Sequence, residues 1–509
     1  MKQIYLLLLI LFVIQIKARS ADLTLKVEDY NNWGWESLVI ENGYIELVIV
    51  PEIGGRVMRY AMPGDQQMAI NERTIGKTYD PATNNNGPWG EGWGYGGFKN
   101  WPSPQSFWNW PPPSRLDWGV YQHTIEHQSA DSVVVFLESE IETVRAKGYQ
   151  QARRLTVYKN STVVKVEQYL TNVNGTVRDL GIWDITQTIV QHGTEKDAEN
   201  FSVYFATEKN IINDKKIDIQ EVGEGIFRYQ DTRVNKGDGK AYMNVSAGWC
   251  ANVDERDVQS YYKLFEIFPE ENHPDNNTNF QIYSAGNNSY IEIEVLSPLK
   301  KLAQGETMRY DEYWSAANVN GLTLFANKAG SIHQFTINNS NNTFEGLFGI
   351  FNSGKVQMYY YDKDYKELGK SNEITVEAAQ LLTVSETIPA GTEVVNLKAY
   401  DFKNNVTGII STTQDYSVGI SNLKQVPFLT VYPSICRPNE EITINCSQNI
   451  EGVVQIDLIS LSGAKTILTH IQQVSFNQVK AVVPSLSPGV YLVQLKNNHF
   501  KNYQKIIIQ

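Results

Sequence analysis

Short runs in which apolar and polar residues alternate, each closed by turn residues, fill this chain almost from end to end, and windows with helical periodicity are nearly absent. A period of two is the signature of a strand with one face buried, so the pattern predicts an all-β protein. "SLVIENGYIELVIV", from Ser37 to Val50, predicts a hairpin turning at Asn42-Gly43, with Pro51 ending its second strand. "RRLTVYKNSTVVKVEQYLTN", from Arg153 to Asn172, predicts another, turning at Lys159-Asn160-Ser161. "SVVVFLES", "YIEIEVLS" and "VQMYYYDKDYKELG" repeat the theme. At 509 residues the chain is long enough for about three domains.

The ends and the charge narrow the setting. Lys2 followed by the apolar run Ile4 to Ile16 and the small residues around Ala18-Arg19-Ser20 reads as a secretory signal cleaved after Ser20, giving a signal segment at 1–20. No later stretch is apolar enough for a membrane helix, so no transmembrane anchor is expected. The net charge of −12, with no basic run, argues against nucleic acid or an anionic lipid surface as partner. Three cysteines are too few for a disulfide scaffold: Cys436 and Cys446 could pair, leaving Cys250 as a small buried hydrophobe. No His/Cys cluster has zinc spacing, and no metal or other cofactor is expected. All eleven tryptophans precede Asn318, which suggests domains at 21–320, 321–425 (a β-sandwich) and 427–509.

Six of those tryptophans fall in one stretch, "NGPWGEGWGYGGFKNWPSPQSFWNWPPPSRLDWG". Its glycine and proline content speaks against a helix or central strand and predicts an ordered surface loop. Indole rings interleaved with polar groups suit a sugar, whose C–H face stacks on the ring while its hydroxyls take hydrogen bonds. The expected ligand-contacting set is Lys99, Trp101, Gln105, Trp108, Trp110 and Asp117, with Arg56 joining from beyond the Gly54-Gly55 bend. The alternative is a lid of aromatic rings over the sandwich. Open Trp101, Trp108 and Trp110 rings would favour sugar binding, with Trp101→Ala abolishing it at little cost in stability; burial would favour the lid.

Near the C-terminus, "VYPS" (Val431 to Ser434), "VVQIDLISLSGAK" and "LSPGVYLVQLKNNHFKNYQKIIIQ" resemble the type A sorting domain of the Bacteroidetes type IX secretion system. Leu486, Gly489, Tyr491 and the run Lys505 to Ile508 fit that pattern, whereas Cys436 departs from it. The resemblance implies that residues 427–509 are read by the type IX machinery, and that the protein reaches the cell surface or the medium.

Three segments of the large block carry a second resemblance: "ENGYIELVIVPEIGGRVMRY", "GGFKNWPSPQ" and "YIEIEVLSPLKKLAQGETMRYDEYW". They are similar to the galactose-mutarotase-like superfamily, and more closely to its DUF4380-type bacterial family. This implies a β-supersandwich for the large block, which precedes the middle block, whose short-strand spacing fits an Ig-like sandwich, and the small sorting domain. In "YIEIEV" the pleat puts Tyr290, Glu292 and Glu294 on one face and Ile291, Ile293 and Val295 in the core. By family position Glu294 is the candidate base, with Glu292 second. The family's histidine position reads Ile182-Trp183-Asp184 instead, leaving Asp184 or the more distant His192 as candidate acids. The favoured reading is an exported carbohydrate-binding protein. The alternatives are a carbohydrate-active enzyme (epimerase-like, or a lyase or hydrolase) and a structural or adhesion protein. Glutamates two apart on one strand do not straddle a glycosidic bond as hydrolysis requires.

Overall fold

The computed structural model describes residues 22–412 except 84–85, 193–194, 197, 209–210, 214–216, 231–236 and 287–288, and residues 429–508 except 433–434, 447–454, 461–464, 469–470, 476–477 and 497–500. The signal segment and Pro433-Ser434 of the sorting motif lie outside the described residues, as does the side chain of Cys446 on which a disulfide to Cys436 depends. The chain divides into two compact units, one reaching Ser421 and one beginning at Asn422. Nearly all the regular structure among the described residues is strand, and no helix among them is long and apolar enough to cross a membrane.

Two large antiparallel sheets dominate the first unit. One has eleven strands and runs Thr24–Asp29, Glu36–Glu41, Glu46–Val50, Arg56–Ala61, Phe98–Ser103, Arg178–Thr188, Ile291–Leu296, Phe280–Ser284, Gly239–Met243 and Ile212–Asn213, with Lys300–Leu302 beside the Arg178 strand. The other has ten strands, from Ile219–Gly223 at one edge to Gln122–Gln128 at the opposite edge. Both expected hairpins form, pairing Val39 with Val48 and Leu155 with Val166. The two sheets pack face to face. Ile182, Ile291, Ile293 and Val295 of the first meet Phe201, Phe205, Cys250 and Tyr310 of the second, so Cys250 is the buried hydrophobe expected. Leu38, Val57 and Phe98 meet Val135, Leu155 and Trp314 farther along. Each such side chain contributes roughly 1.5–3 kcal/mol on leaving water, which is what makes alternation so strong a determinant of this fold. The result is the all-β fold that the alternation predicted, in the supersandwich form that the resemblance implied.

The tryptophan-rich segment departs from expectation. Part of it, Phe98–Ser103, is a strand inside the first sheet, pairing along its length with the Arg178 strand. Proline is tolerated there because the other neighbour, Arg56–Ala61, pairs only through Val57 and Phe98, so Pro102 faces no ladder on that side. The rest folds back as a third layer over the outer face of the first sheet. Trp101, Trp108, Leu116, Trp183 and Leu296 form one apolar cluster under this cover, and Trp35, Met58, Tyr95 and Trp118 another. Close approach depends on glycine: Gly54 has φ +84°, and a Cβ there would stand 2.0 Å from the Asp117 carbonyl oxygen.

Residues 325–411 form two further sheets of four and five strands around Ile332, Phe348, Val356, Met358 and Leu397. They are joined to the large sandwich within one unit. Ser331 Oγ donates to Tyr262 Oη (3.0 Å), His333 Nε2 meets the same hydroxyl (3.2 Å), and the Thr162 N–H donates to the Phe351 carbonyl (2.8 Å).

The second unit is a small sandwich of four- and five-stranded sheets whose core includes Ile442, Ile456, Leu458, Val493, Leu495, Ile506 and Ile508. The terminal strand Lys501–Ile508 lies between Gly489–Lys496, antiparallel, and Ile435–Cys436, parallel.

Candidate functional site

Strand register assembles the site on the outer face of the first sheet. Directly paired residues share a face, so Gln187, Glu292, Tyr283 and Lys240 form one row across four strands. Lys99, Ile185, Glu294 and Gln281 form the next row, and Trp101, Trp183 and Leu296 a third. Two ion pairs run diagonally between the first two rows: Lys99 Nζ lies 3.3 Å from Glu292 Oε1, and Lys240 bonds Glu294. Trp183 Nε1 donates to Glu294 Oε2 at 2.7 Å. The lysines are flanked by rings, Lys99 at 5.1 Å from the Trp101 centroid and 5.6 Å from Trp89, Lys240 at 5.4 Å from Trp183.

The alternation expected for Tyr290 to Val295 therefore holds, but its polar face lies under the aromatic cover. Glu294 and Lys99 are buried, while the Glu292 and Lys240 side chains keep 13% and 11% of their exposure. Burial pushes the Glu294 carboxyl above its ordinary range; Lys240 opposes that shift and Glu292 adds to it. Burial lowers the Lys99 ammonium, with Glu292 pulling the other way. A hydroxylated ligand reaching these groups would meet cationic donors beside anionic acceptors, with flat rings on the flanks.

Asp117 organises the cover. Its Oδ1 accepts from Arg56 Nη2 (2.6 Å) and Trp101 Nε1 (2.8 Å), and its Oδ2 from Trp89 Nε1 (2.7 Å). Arg56 also donates to the Gly96 carbonyl (3.0 Å). Both Arg56 and Asp117 are buried, so the structure gives them a bracing role in the cover. Trp101 and Trp108 are only 4% and 3% exposed, so these two rings form part of the lid and are not the open, ligand-facing rings expected. Trp110 is different: it is 49% exposed and rests edge-on against Trp89, 4.9 Å between centroids. Gln105 is half-buried at the start of a short turn, where its carbonyl accepts from the Trp108 N–H. A chain of contacts thus runs from the exposed Trp110 through Trp89 and Lys99 to Glu292.

The two candidate acids stand elsewhere. Asp184 shares its strand with Trp183 but points to the inner face, where it pairs with Lys263 and accepts from Gln168 Nε2 (3.0 Å). The pleat that brings Trp183 to Glu294 carries Asp184 away from it. His192 sits on a two-residue strand beyond the sheet's end, stacked on Phe201 and held by Asp254 (2.7 Å) and Asp257 (3.4 Å). A cavity of about 400 Å³ lined by Pro104, Phe107 and Arg178 contains none of the expected residues.

Lys240, Gln187, Gln281, Tyr283 and Trp183 were not anticipated. Lys240, Gln281 and Tyr283 lie on strands with no motif, Trp183 and Gln187 share the strand of Asp184, and only pairing register brings them to the glutamates. The available signal was alternation for Gln281 and Tyr283 in "FQIYS", whereas in "WDITQT" the alternating polar residues are the inward set and Gln187 stands out of phase with them.

A family model described as a domain of unknown function, DUF4380, matches residues 36–317, and one described as a secretion system C-terminal sorting domain matches residues 430–509. No curated protein sequence matches the chain. Similar solved structures include the Slr1438 protein from Synechocystis sp. PCC 6803, at 10% identity and a TM-score of 0.40, covering 55% of this chain and 96% of that one. Others are galactose mutarotase-like proteins from Clostridium acetobutylicum (11%, 0.39, 58% and 99%) and Lactobacillus casei (11%, 0.38, 55% and 99%).

Proposed function

The chain belongs to the DUF4380 family and carries a type IX sorting domain that sends it to the cell surface or the medium, and from that premise we propose that it is an exported carbohydrate-binding protein. One observation carries the reading. Two lysine–glutamate pairs and two glutamine side chains share one sheet face beneath tryptophan and tyrosine rings, with an exposed indole, Trp110, at the outer end of the aromatic chain. Sugars are recognised by such pairings of donor and acceptor groups with ring faces.

Binding is favoured over an epimerase-like reaction by what faces Glu294. Its partners are Lys240 and Trp183, while Asp184 lies behind the sheet and His192 is engaged with Asp254 and Asp257. Proton exchange at a sugar's anomeric centre needs a base and an acid on either side of one ring, and neither candidate acid stands opposite Glu294.

The test is affinity electrophoresis of the exported protein through gels containing a panel of polysaccharides. At least one should retard it, and Trp110→Ala should weaken that retardation by about tenfold, a typical loss for a stacking ring. Free migration through every gel would overturn the proposal.

A further inference from the structure

Gln187 is fully buried, and neither its Nε2 nor its Oε1 meets a hydrogen-bond partner among the described residues. Its backbone, by contrast, is fully engaged: the N–H donates to the Gly97 carbonyl (3.0 Å) and the carbonyl accepts from the Ala69 N–H (2.8 Å). A buried amide with both ends unmatched is costly to keep, so its position needs an explanation beyond packing.

Location supplies one. Within the large sandwich, the unmatched amides of Asn100, Gln151, Gln168 and Asn252 belong to the inner face, sealed between the two sheets. Gln187 is on the outer face, directly paired with Glu292, which keeps part of its exposure. Trp93 stacks on Tyr290 (4.7 Å between centroids), and both rings cluster with Ala69 and Tyr283, next to the same row. On the far side of the glutamates, Gln281 offers a second unmatched carbonyl oxygen, its Nε2 being taken by Asp275 (3.2 Å).

We infer that Gln187 is the specificity-determining residue of this site, its amide reading a pair of adjacent hydroxyls on an uncharged sugar. This rests on the carbohydrate-binding reading and sharpens it. An amide presents one donor and one acceptor side by side, and two neighbouring hydroxyls present the complement. The sugar is uncharged because, among the described residues of this face, Lys99 and Lys240 are each matched by a glutamate, leaving neither to meet a carboxylate or sulfate.

The experiment compares the full exported protein with Gln187→Met, which keeps the side chain's length and removes its polar atoms. On a neutral-polysaccharide gel that retards the parent, the variant should bind at least tenfold more weakly while its thermal midpoint stays level or rises. Removing an unmatched buried amide relieves the fold, whereas removing a structural one would weaken it. Gln187→Leu provides a second variant if methionine packs badly. Undiminished binding by a folded variant would overturn the inference, as would a lowered midpoint in both variants, or retardation of the parent only by anionic polysaccharides. The parent's own retardation tests the broader proposal separately.

Discussion

The first sheet carries a lysine–carboxylate cluster on each face, and the two are built for different ends. On the inner face Lys263 sits between Asp184 and Glu312, all three without exposure, and Glu312 also accepts from Trp314 Nε1 (2.7 Å). Burial alone would lower the Lys263 ammonium, yet the two carboxylates hold it above its ordinary value. This cluster ties one sheet to the other. On the outer face the Lys99 and Lys240 pairs lie beneath rings, and two of their four members reach solvent. The same strand feeds both, Asp184 and Thr186 inward, Trp183 and Gln187 outward. Residue type therefore does not separate an ion pair sealed between sheets from one that keeps an edge toward solvent. What separates them is whether the face beyond is another sheet or a cover with an edge.

The sharpest way to break that contrast is Lys263→Met. It strands two buried carboxylates and should cost about 3–5 kcal/mol by chemical denaturation. Trp101→Ala comes next. With the ring buried and its N–H bound to Asp117, a loss of about 3–4 kcal/mol is expected, in place of the near-neutral effect a solvent-facing ring would give.

A pH series sharpens the comparison further. His333 is buried against Tyr262 and Ser331, and burial pushes its imidazole down to about 4. Its folded form holds fewer protons than its unfolded form between pH 6.5 and 4, so its contribution is complete above 6.5. As pH falls through that window, up to about 3 kcal/mol is lost. Glu294 and Glu312 act in the opposite sense. Both are raised by burial, so their folded forms keep protons longer and stability falls as pH rises above 4.5. His333→Asn should flatten the acid limb in thermal melts and leave the carboxylates' opposite slope visible. The smallest effect belongs to Trp110→Ala, which should change unfolding free energy by about 0.5 kcal/mol or less while weakening sugar retention.

How much of this was legible follows from the same geometry. The hairpin at Asn42-Gly43 and the inward set Ile291, Ile293 and Val295 were readable because period two is a local property. The strand Phe98–Ser103 was not, because proline and glycine are penalised only where a neighbour needs their N–H or side chain, and here that neighbour pairs at one residue. Glu292 and Glu294 were identified, but their burial was hidden, since their partners Lys99, Trp183 and Lys240 lie on strands far away in sequence. Lys240 and Gln187 depend wholly on register, which no local window contains. Asp184 was expected beside Glu294 because its sequence position is right; the pleat puts it one face away.

Asp117 has a consequence for how this surface can vary. One carboxylate fastens two indoles and a guanidinium, so the cover's frame is set by a few atoms at its centre. Ala82-Thr83 and the Asn109-Trp110 tip are exposed and carry none of that fastening. They are free to change sequence without disturbing the layer beneath, much as recognition loops diversify on a constant framework. The same division marks them as the positions to randomise when seeking variants with altered surface recognition, with Asp117, Arg56, Trp89 and Trp101 kept fixed.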